Sequence, residues 1–261
     1  MQRLRFAVCI LVAPACVAAC AQDTVVAPKP AVAGQRVVGI AFSGPIRMID
    51  VDRLRQAIAL AGEEPIPARL IVFFDSSGGD GIAAMQIGRM LRHAKAHVFV
   101  VKRCASACIF AYVGGVYRDA LPGTLGIHRG RVTATLEQGK VVDVDPGASP
   151  VARMFLSDAE AQVQEHLFEM GAPPALFDAM QAVGPRDMRW LSAQDAAQLG
   201  LVGFDPSYLA ERAHEMQARY GMPEDELVRR TATVLPQCAD SAARHAAFIA
   251  CYRRQLLSPH Q

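Results

Sequence analysis

The amino-acid sequence predicts an α/β domain followed by a helical C-terminal extension. From residue 36 onward, short apolar runs alternate with segments of helical period, as expected for strands that alternate with helices. The chain has 261 residues, of which 52% are hydrophobic, enough to fill the core of one large domain. After residue 205 the pattern is helical only and rich in Ala and Arg.

Four strands are predicted in the first half of the chain. Two of them are continuous apolar runs, as expected for strands buried on both faces of a sheet. Each ends close to a turn or a polar segment, which is where the loops of an α/β sheet build sites. In chain order, the predicted strands are residues 37–42, 70–74, 97–101 and 125–128.

Helices are predicted between and after these strands. The first, residues 49–61, has apolar residues at helical spacing and ends at Gly62. Residues 105–114 contain no charge, so this helix is expected to be fully buried. Residues 130–150 are polar and are predicted to form a hairpin or a flap. The other predicted helical segments are residues 85–91, 149–170, 174–183, 191–199 and 206–261.

The charge balance argues against a nucleic-acid partner. The chain has 27 basic and 25 acidic residues, and two of the basic residues, Arg3 and Arg5, lie in the leader. The remaining chain is therefore near neutral, whereas a protein that binds a phosphate backbone needs a basic surface. We expect no DNA or RNA partner.

Residues 1–19 are predicted to be a bacterial lipoprotein-type signal peptide. A short basic region precedes an apolar run that is too short to span a membrane. The run ends in Val-Ala-Ala before Cys20, which resembles the lipoprotein box and predicts lipidation at Cys20. Ordinary cleavage after Ala21 is the alternative. Residues 20–35 are predicted to be a tether. We therefore expect a periplasmic protein that contacts the membrane only through its lipid.

Four cysteines remain beyond the leader and suggest two disulfides in an oxidising compartment. Of three connectivities, proximity favours Cys104 with Cys108 and Cys238 with Cys251. Positions i and i+4 of a helical turn have Cα atoms about 6 Å apart, which is within disulfide range. Two buried free thiols are the alternative for that pair. The spacings do not match zinc fingers, so no metal is predicted.

A glycine pair, Gly78 and Gly79, occupies the turn after the second predicted strand. Such a pair beside a helix N-terminus can aim backbone N–H groups outward, which suits an anion. A tight turn without further function is the alternative. The spacing matches neither a dinucleotide fingerprint nor a phosphate P-loop, so no nucleotide or other cofactor is predicted.

Ser106 and His128 stand at the ends of the next two predicted strands. A serine where a strand becomes a buried helix presents its hydroxyl as a nucleophile, and the amides of Ala107 and Gly78 can point the same way. A helix N-cap is the alternative for Ser106, and a structural residue is the alternative for His128. The joint occurrence of the glycine pair, the serine and the histidine favours a catalytic site.

This order of motifs resembles the Clp protease proteolytic subunit. Two further stretches match: Gly115 with Arg118 after the uncharged helix, and the Leu-Ser-Ala-x6-Gly-Leu-Val segment of residues 191–202. The Cys-x-Ser-x-Cys centre around Ser106 is similar to an exported, periplasmic Clp-like branch. The resemblance covers about residues 36–205 and none of the extension.

The resemblance implies both a fold and roles for the site residues. The fold would be a Clp/crotonase-like spiral of β-β-α units, with residues 206–261 as the helical C-terminal extension. Ser106 would be the nucleophile and His128 the general base. The implied oxyanion hole consists of the backbone amides of Gly78 and Ala107, and Gly79 of the same glycine pair is included among its candidate residues.

The match fails at the third member of the catalytic triad. In the family an Asp directly precedes the Arg-aromatic-Leu-Ser-Ala stretch, but this chain has Met188 there, and Asp187 one residue earlier. Asp187 is the predicted acid if the loop bulges, Asp178 is a remoter candidate, and a Ser-His dyad is the third option. Loss of a triad acid can lower turnover by about 10⁴-fold.

The sequence thus predicts an exported Clp-like serine hydrolase that cleaves short or unfolded peptides, since ATP for an unfoldase partner is absent outside the cytoplasm. A catalytically inactive envelope binding or scaffold protein that keeps the fold is the alternative. An acyl-CoA enzyme is disfavoured, because coenzyme A is absent from that compartment. The resemblance also allows a homo-oligomer.

Overall fold

The computed structural model describes residues 37–62, 68–131, 133–135, 141–145, 147, 149–241 and 244–257. The predicted leader, the tether and Cys20 lie outside the described residues. The strands are β1 (Val37–Ser43), β2 (Arg69–Ser76), β3 (His97–Ala105), β4 (Tyr117–Asp119), β5 (Leu125–Ile127), β6 (Thr133–Thr135), β7 (Val141–Asp143), β8 (Arg189–Trp190) and β9 (Gly203–Phe204). The helices are α1 (Met48–Gly62), α2 (Gly81–His93), α3 (Cys108–Tyr112), α4 (Pro150–Glu169), α5 (Pro174–Gln181), α6 (Ala193–Gln198), α7 (Pro206–Tyr220), α8 (Glu224–Cys238) and α9 (His245–Tyr252).

The main sheet is built around β3, and the predicted α/β class is confirmed. Strands β1, β2 and β3 are parallel neighbours in that order. On its other side β3 pairs with two strands in succession, with β4 at its beginning and with β5 at its end. Strand β9 pairs antiparallel with β4, and β8 pairs antiparallel with β5. Strands β6 and β7 form a separate hairpin, in the region predicted as a hairpin or flap.

Both faces of the sheet are covered, as the continuous apolar runs predict. Side chains alternate between the faces along each strand. One set packs with α1, α2 and α3 and includes Val38, Ile40, Leu70, Val72, Phe74, Val98 and Val100. The other set packs with the C-terminal helices and includes Val37, Ala41, Ile71, Phe73 and Phe99.

The C-terminal helices α7, α8 and α9 lie in the segment predicted as a helical extension. The ring of Phe248 in α9 packs edge-on against Phe73, with the ring centroids 4.8 Å apart. The predicted disulfide between Cys238 and Cys251 is present and joins α8 to α9. The C-terminal helices therefore cover the second face of the sheet.

A polar group of side chains is enclosed at the beginning of β3. His97 is only 2% exposed, and its Nε2 lies 2.7 Å from Nη1 of Arg69. Its Nδ1 lies 2.7 Å from the hydroxyl of Tyr252 in α9. Because a guanidinium only donates, Nε2 accepts and the ring is neutral. Burial, followed by the charge of Arg69, places the pKa of His97 well below its usual value.

Two predicted helices begin later than the sequence pattern indicates. Strand β3 continues to Ala105, so α3 starts only at Cys108, although every residue of α3 is buried as expected. The predicted helix at residues 191–199 begins at Ala193, after Ser192, whose side chain caps it in a capping box with Asp195.

No helix within the described ranges is long and apolar enough to cross a membrane.

Candidate active site

Ser106 lies in the two-residue turn between β3 and α3. Its φ is 56°, a left-handed conformation that is uncommon for residues other than glycine. Its N–H donates to the carbonyl of Gly126 in β5, at 3.0 Å, which ties the turn to the neighbouring strand. Helix α3 has Ala107 as its N-cap residue and no side-chain capping bond. The Ser106 hydroxyl is therefore not used as a helix cap, and strained residues of this kind are frequent at functional sites.

The turn that carries Ser106 is closed by the predicted disulfide between Cys104 and Cys108. The two Cα atoms are 5.3 Å apart, and both residues are completely buried. The disulfide joins the end of β3 to the first residue of α3. It therefore holds together the two elements between which the nucleophile candidate is placed.

His128 follows directly after β5 and contacts Ser106. Because Cys104 and Ala105 of β3 pair with Leu125 and Gly126 of β5, the residues after the two strands lie side by side. The His128 Nε2 and the Ser106 Oγ are 2.7 Å apart. The structure therefore brings together the two residues that the sequence singles out, over a separation of 22 positions.

The other ring nitrogen of His128 determines which tautomer is present. Nδ1 lies 2.8 Å from the backbone carbonyl oxygen of Arg129. A carbonyl only accepts hydrogen bonds, so Nδ1 carries the proton and Nε2 is left to accept the Ser106 O–H. Burial lowers the pKa of His128 below its usual value, with the Arg131 charge acting in the same direction and the Arg129 carbonyl opposing both. His128 is thus a neutral base at pH 7.

No carboxylate within the described ranges hydrogen-bonds to His128. Asp187 is exposed in the loop before β8, and its N–H donates to the carbonyl of Gly184 at 3.0 Å. Asp178 is also exposed, on α5. The sulfur of Met188, the residue directly before the Arg189–Trp190 strand β8, lies over Gly126. The geometry is that of a Ser-His dyad whose Nδ1 partner is a peptide carbonyl.

The glycine turn lies directly against Ser106. A Cβ atom on Gly78 would come within 2.7 Å of the Ser106 Cβ and within 3.2 Å of the Ala107 nitrogen. Both Gly78 and Gly79 have positive φ, 111° and 139°, so the turn needs glycine for its conformation and for its close approach. This proximity places the glycine turn beside the Ala107 amide.

The three amides predicted for the oxyanion hole are not equivalent. The Gly78 N–H donates to the hydroxyl of Ser76, at 3.1 Å. The N–H groups of Gly79 and Ala107 donate to no acceptor in the described part of the chain. Of the predicted set, Gly79 and Ala107 are therefore the two amides available to an incoming oxyanion.

Two participants in the site are absent from the sequence prediction. Ser76, the last residue of β2, is buried and bonded to the glycine turn. A serine two residues before a turn glycine fits the pattern of a side chain that hydrogen-bonds a backbone N–H two positions further on. The sequence therefore contains a weak indication of this contact. The Arg129 carbonyl carries none, because every residue has one.

Among the residues with described positions, no group of three or more His, Cys, Asp or Glu side chains is placed to hold a metal ion. The chemically distinctive group consists of the hydroxyl of Ser106, the neutral imidazole of His128 and the backbone amides of Gly79 and Ala107. Such an arrangement can activate a hydroxyl for attack on a carbonyl and hold the oxyanion that results.

Comparison with known proteins gives structural neighbours only. No model of a known protein family matches the chain, and no curated protein matches it. A point mutant of ClpP1 from Listeria monocytogenes is similar at a TM-score of 0.46 and 19% identity, over 63% of this chain and 88% of that one. A point mutant of the membrane-bound stomatin-specific protease 1510-N is similar at 0.46 and 18%, over 68% of this chain and 83% of that one.

Proposed function

We propose that the protein is a serine hydrolase that cleaves peptide bonds with a Ser106–His128 dyad. The observation that carries the proposal is the 2.7 Å contact between Ser106 Oγ and His128 Nε2, in the tautomer that the Arg129 carbonyl selects. In this tautomer the imidazole can take the serine proton, as general-base catalysis requires.

The reaction would proceed in two halves. His128 takes the Ser106 proton while Oγ attacks the substrate carbonyl, and the amides of Gly79 and Ala107 hold the oxyanion of the tetrahedral intermediate. The imidazolium then gives its proton to the leaving amine, and the acyl-enzyme on Ser106 remains. Water, deprotonated by His128, attacks the ester, and the returned proton restores the free serine.

The Arg129 carbonyl at Nδ1 of His128 performs only part of the role that a carboxylate has in a catalytic triad. It sets the tautomer and the orientation of the ring, but it carries no net charge to stabilise the imidazolium that forms. We therefore expect turnover to be slower than that of a complete triad. Short or unfolded peptides are the substrates we propose.

Export and anchoring are part of the same proposal. The lipoprotein-type sequence that ends at Cys20 and the two disulfides support an oxidising compartment outside the bacterial cytoplasm. Intact mass of the membrane-extracted protein should show a chain that starts at Cys20 and carries acyl groups. An unmodified N-terminus at Gln22 would contradict lipidation.

The experiment that tests the proposal is labelling of the purified protein with a fluorophosphonate. Attack by Ser106 forms an O–P bond, expels fluoride and passes the serine proton to His128, so only an activated serine reacts. We expect labelling of the wild type between pH 6 and 9 and none of Ser106→Ala. Since His128 must be neutral, the rate should rise to a plateau with a midpoint below pH 6.5.

Two observations favour the alternative, a catalytically inactive envelope binding or scaffold protein. His128 has a peptide carbonyl where a triad would have a carboxylate, and Met188 occupies the sequence position of the acid. A wild-type protein that is unlabelled over the whole pH range and cleaves no unfolded substrate would refute the hydrolase and favour this alternative.

A further inference from the structure

The hydroxyl of Ser76 lies beneath the glycine turn of the proposed oxyanion hole. We infer that Ser76 is a positioning residue that orients and polarises the peptide group between Gly78 and Gly79. The inference rests on the proposed function and deepens it. It assigns to a side chain outside the dyad the task of preparing one of the two amides that would bind the oxyanion.

Ser76 makes two hydrogen bonds to a single residue. It is completely buried, and its Oγ accepts the N–H of Gly78 at 3.1 Å and donates to the carbonyl oxygen of Gly78 at 3.2 Å. The first bond turns the Gly78 N–H back toward β2. The second fixes the next peptide group, whose carbonyl belongs to Gly78 and whose N–H belongs to Gly79.

That peptide group receives a second hydrogen bond from another part of the chain. The N–H of Ile46 donates to the Gly78 carbonyl at 2.8 Å, and the Ile46 carbonyl accepts the N–H of Asp80 at 2.9 Å. Hydrogen bonds to a peptide carbonyl polarise the whole amide and strengthen its N–H as a donor, by about 10–30% per bond. The Gly79 N–H, which has no acceptor within the described ranges, is thereby polarised from two sides.

The amide of Ala107 follows the same arrangement. It belongs to the peptide group whose carbonyl is that of Ser106, and this carbonyl accepts the N–H of Ile109 at 3.0 Å. Each free amide therefore belongs to a peptide group with a bonded carbonyl. At Ala107 the polarising donor is backbone, whereas at Gly79 one of the two donors is the Ser76 side chain. Mutation can consequently remove the contribution of Ser76 without altering the backbone of the hole.

The test compares Ser76→Ala with Ser77→Ala, which removes an exposed hydroxyl from the next position. Fluorophosphonate labelling is measured against probe concentration, so that the maximal rate, kinact, is separated from the half-saturating concentration, KI. Removing a whole oxyanion donor costs about 10²- to 10³-fold. Because Ser76→Ala leaves the donor present but less well oriented, we expect kinact to fall by about 10-fold, with KI and the pH midpoint unchanged.

The other variants and outcomes separate positioning from a general structural role. Ser77→Ala and a folded Ser76→Thr, which keeps the hydroxyl, should both label at the wild-type kinact. A wild-type kinact in Ser76→Ala, or a loss that appears mainly in KI, would overturn the inference and leave the hydrolase intact. If Ser76→Ala does not fold, a tenfold loss in folded Ser76→Thr would overturn it instead. An unlabelled wild type would overturn both proposals.

Discussion

A histidine with both ring nitrogens in hydrogen bonds lies at each end of β3, yet the two histidines differ in the chemistry open to them. At the beginning of the strand, His97 lies between Arg69 and Tyr252. At its end, the turn carrying Ser106 faces His128. The histidines are 2% and 9% exposed, so burial alone does not separate a structural histidine from a candidate catalytic one.

The difference lies in the group that occupies Nε2. For His97 that group is the guanidinium of Arg69, which donates a hydrogen bond but does not give up its proton. For His128 it is the hydroxyl of Ser106, which can transfer its proton to the ring as the oxygen attacks a carbonyl. His128 can therefore act as a general base toward its Nε2 partner, whereas His97 cannot.

The largest expected effect is on reactivity and distinguishes the two histidines. His128→Gln should lower the rate of fluorophosphonate labelling by more than about 10³-fold, because Ser106 then has no base. His97→Gln should change it by less than about threefold, since His97 contacts no part of the dyad. Labelling rates of the folded variants, checked by circular dichroism, measure both. Similar losses in the two variants would show that the ends of β3 are not functionally separate.

Loss of each of the two disulfides should have a different effect. One disulfide should matter mainly for stability, and the other mainly for the reactivity of Ser106. Replacing Cys238 and Cys251 by Ala opens a loop of about 14 residues between α8 and α9, and should lower the free energy of unfolding by about 3 kcal/mol with little change in labelling. Replacing Cys104 and Cys108 by Ala should lower labelling by about 10-fold or more, because the turn that presents Ser106 is no longer held.

Urea unfolding and labelling rates, measured on both double variants, check this division. The five-residue loop closed by Cys104 and Cys108 constrains the unfolded chain little, so its loss should affect stability less than loss of the longer loop. If the Cys104 and Cys108 variant labels normally, the disulfide does not position the nucleophile.

The free energy of unfolding should decrease as the pH is lowered, because of His97 at the beginning of β3. The pKa of His97 is lowered by burial and by Arg69, and Arg212 acts in the same direction. The unfolded chain therefore binds a proton below about pH 6.5 that the folded protein excludes, and stability present above pH 6.5 is lost as the pH falls. The loss should reach up to about 1.4 kcal/mol per pH unit.

His97→Gln provides the control for this pH dependence. Burial raises the pKa values of Tyr117 and Tyr252, which face His97, and the pKa of Arg69 is raised as well. These three groups therefore do not titrate between pH 5 and 7, whereas a histidine in the unfolded chain does. Urea unfolding at pH 5 and pH 7 should show a smaller difference for His97→Gln than for the wild type. Equal differences would show that the pH dependence arises elsewhere.

The parts of the molecule that the sequence predicts are those determined by neighbours along the chain. Strands β2 and β3 contain the two continuous apolar runs, and each disulfide pairs cysteines close in sequence. Ser106 and His128 stand out because each follows a strand. The polar group at His97 was not predictable, because its partners Arg69 and Tyr252 lie 28 and 155 positions away. The role of the extension also depends on such contacts, since a helical pattern does not show which sheet face it covers.

The smallest expected effect concerns Asp187. Asp187→Asn removes the carboxylate that the sequence prediction assigns to a triad, and in a triad its loss would lower turnover by about 10³- to 10⁴-fold. Here the Arg129 carbonyl already accepts the hydrogen bond from the protonated Nδ1 of His128, so the correct tautomer persists without Asp187 and labelling should change by less than about threefold. The same measurement on Asp178→Asn is the matched control, because Asp178 is also exposed and does not hydrogen-bond to the imidazole of His128. A loss of 10²-fold or more confined to Asp187→Asn would mean that its loop moves to His128 during the reaction, and the dyad would then be a resting state of a triad.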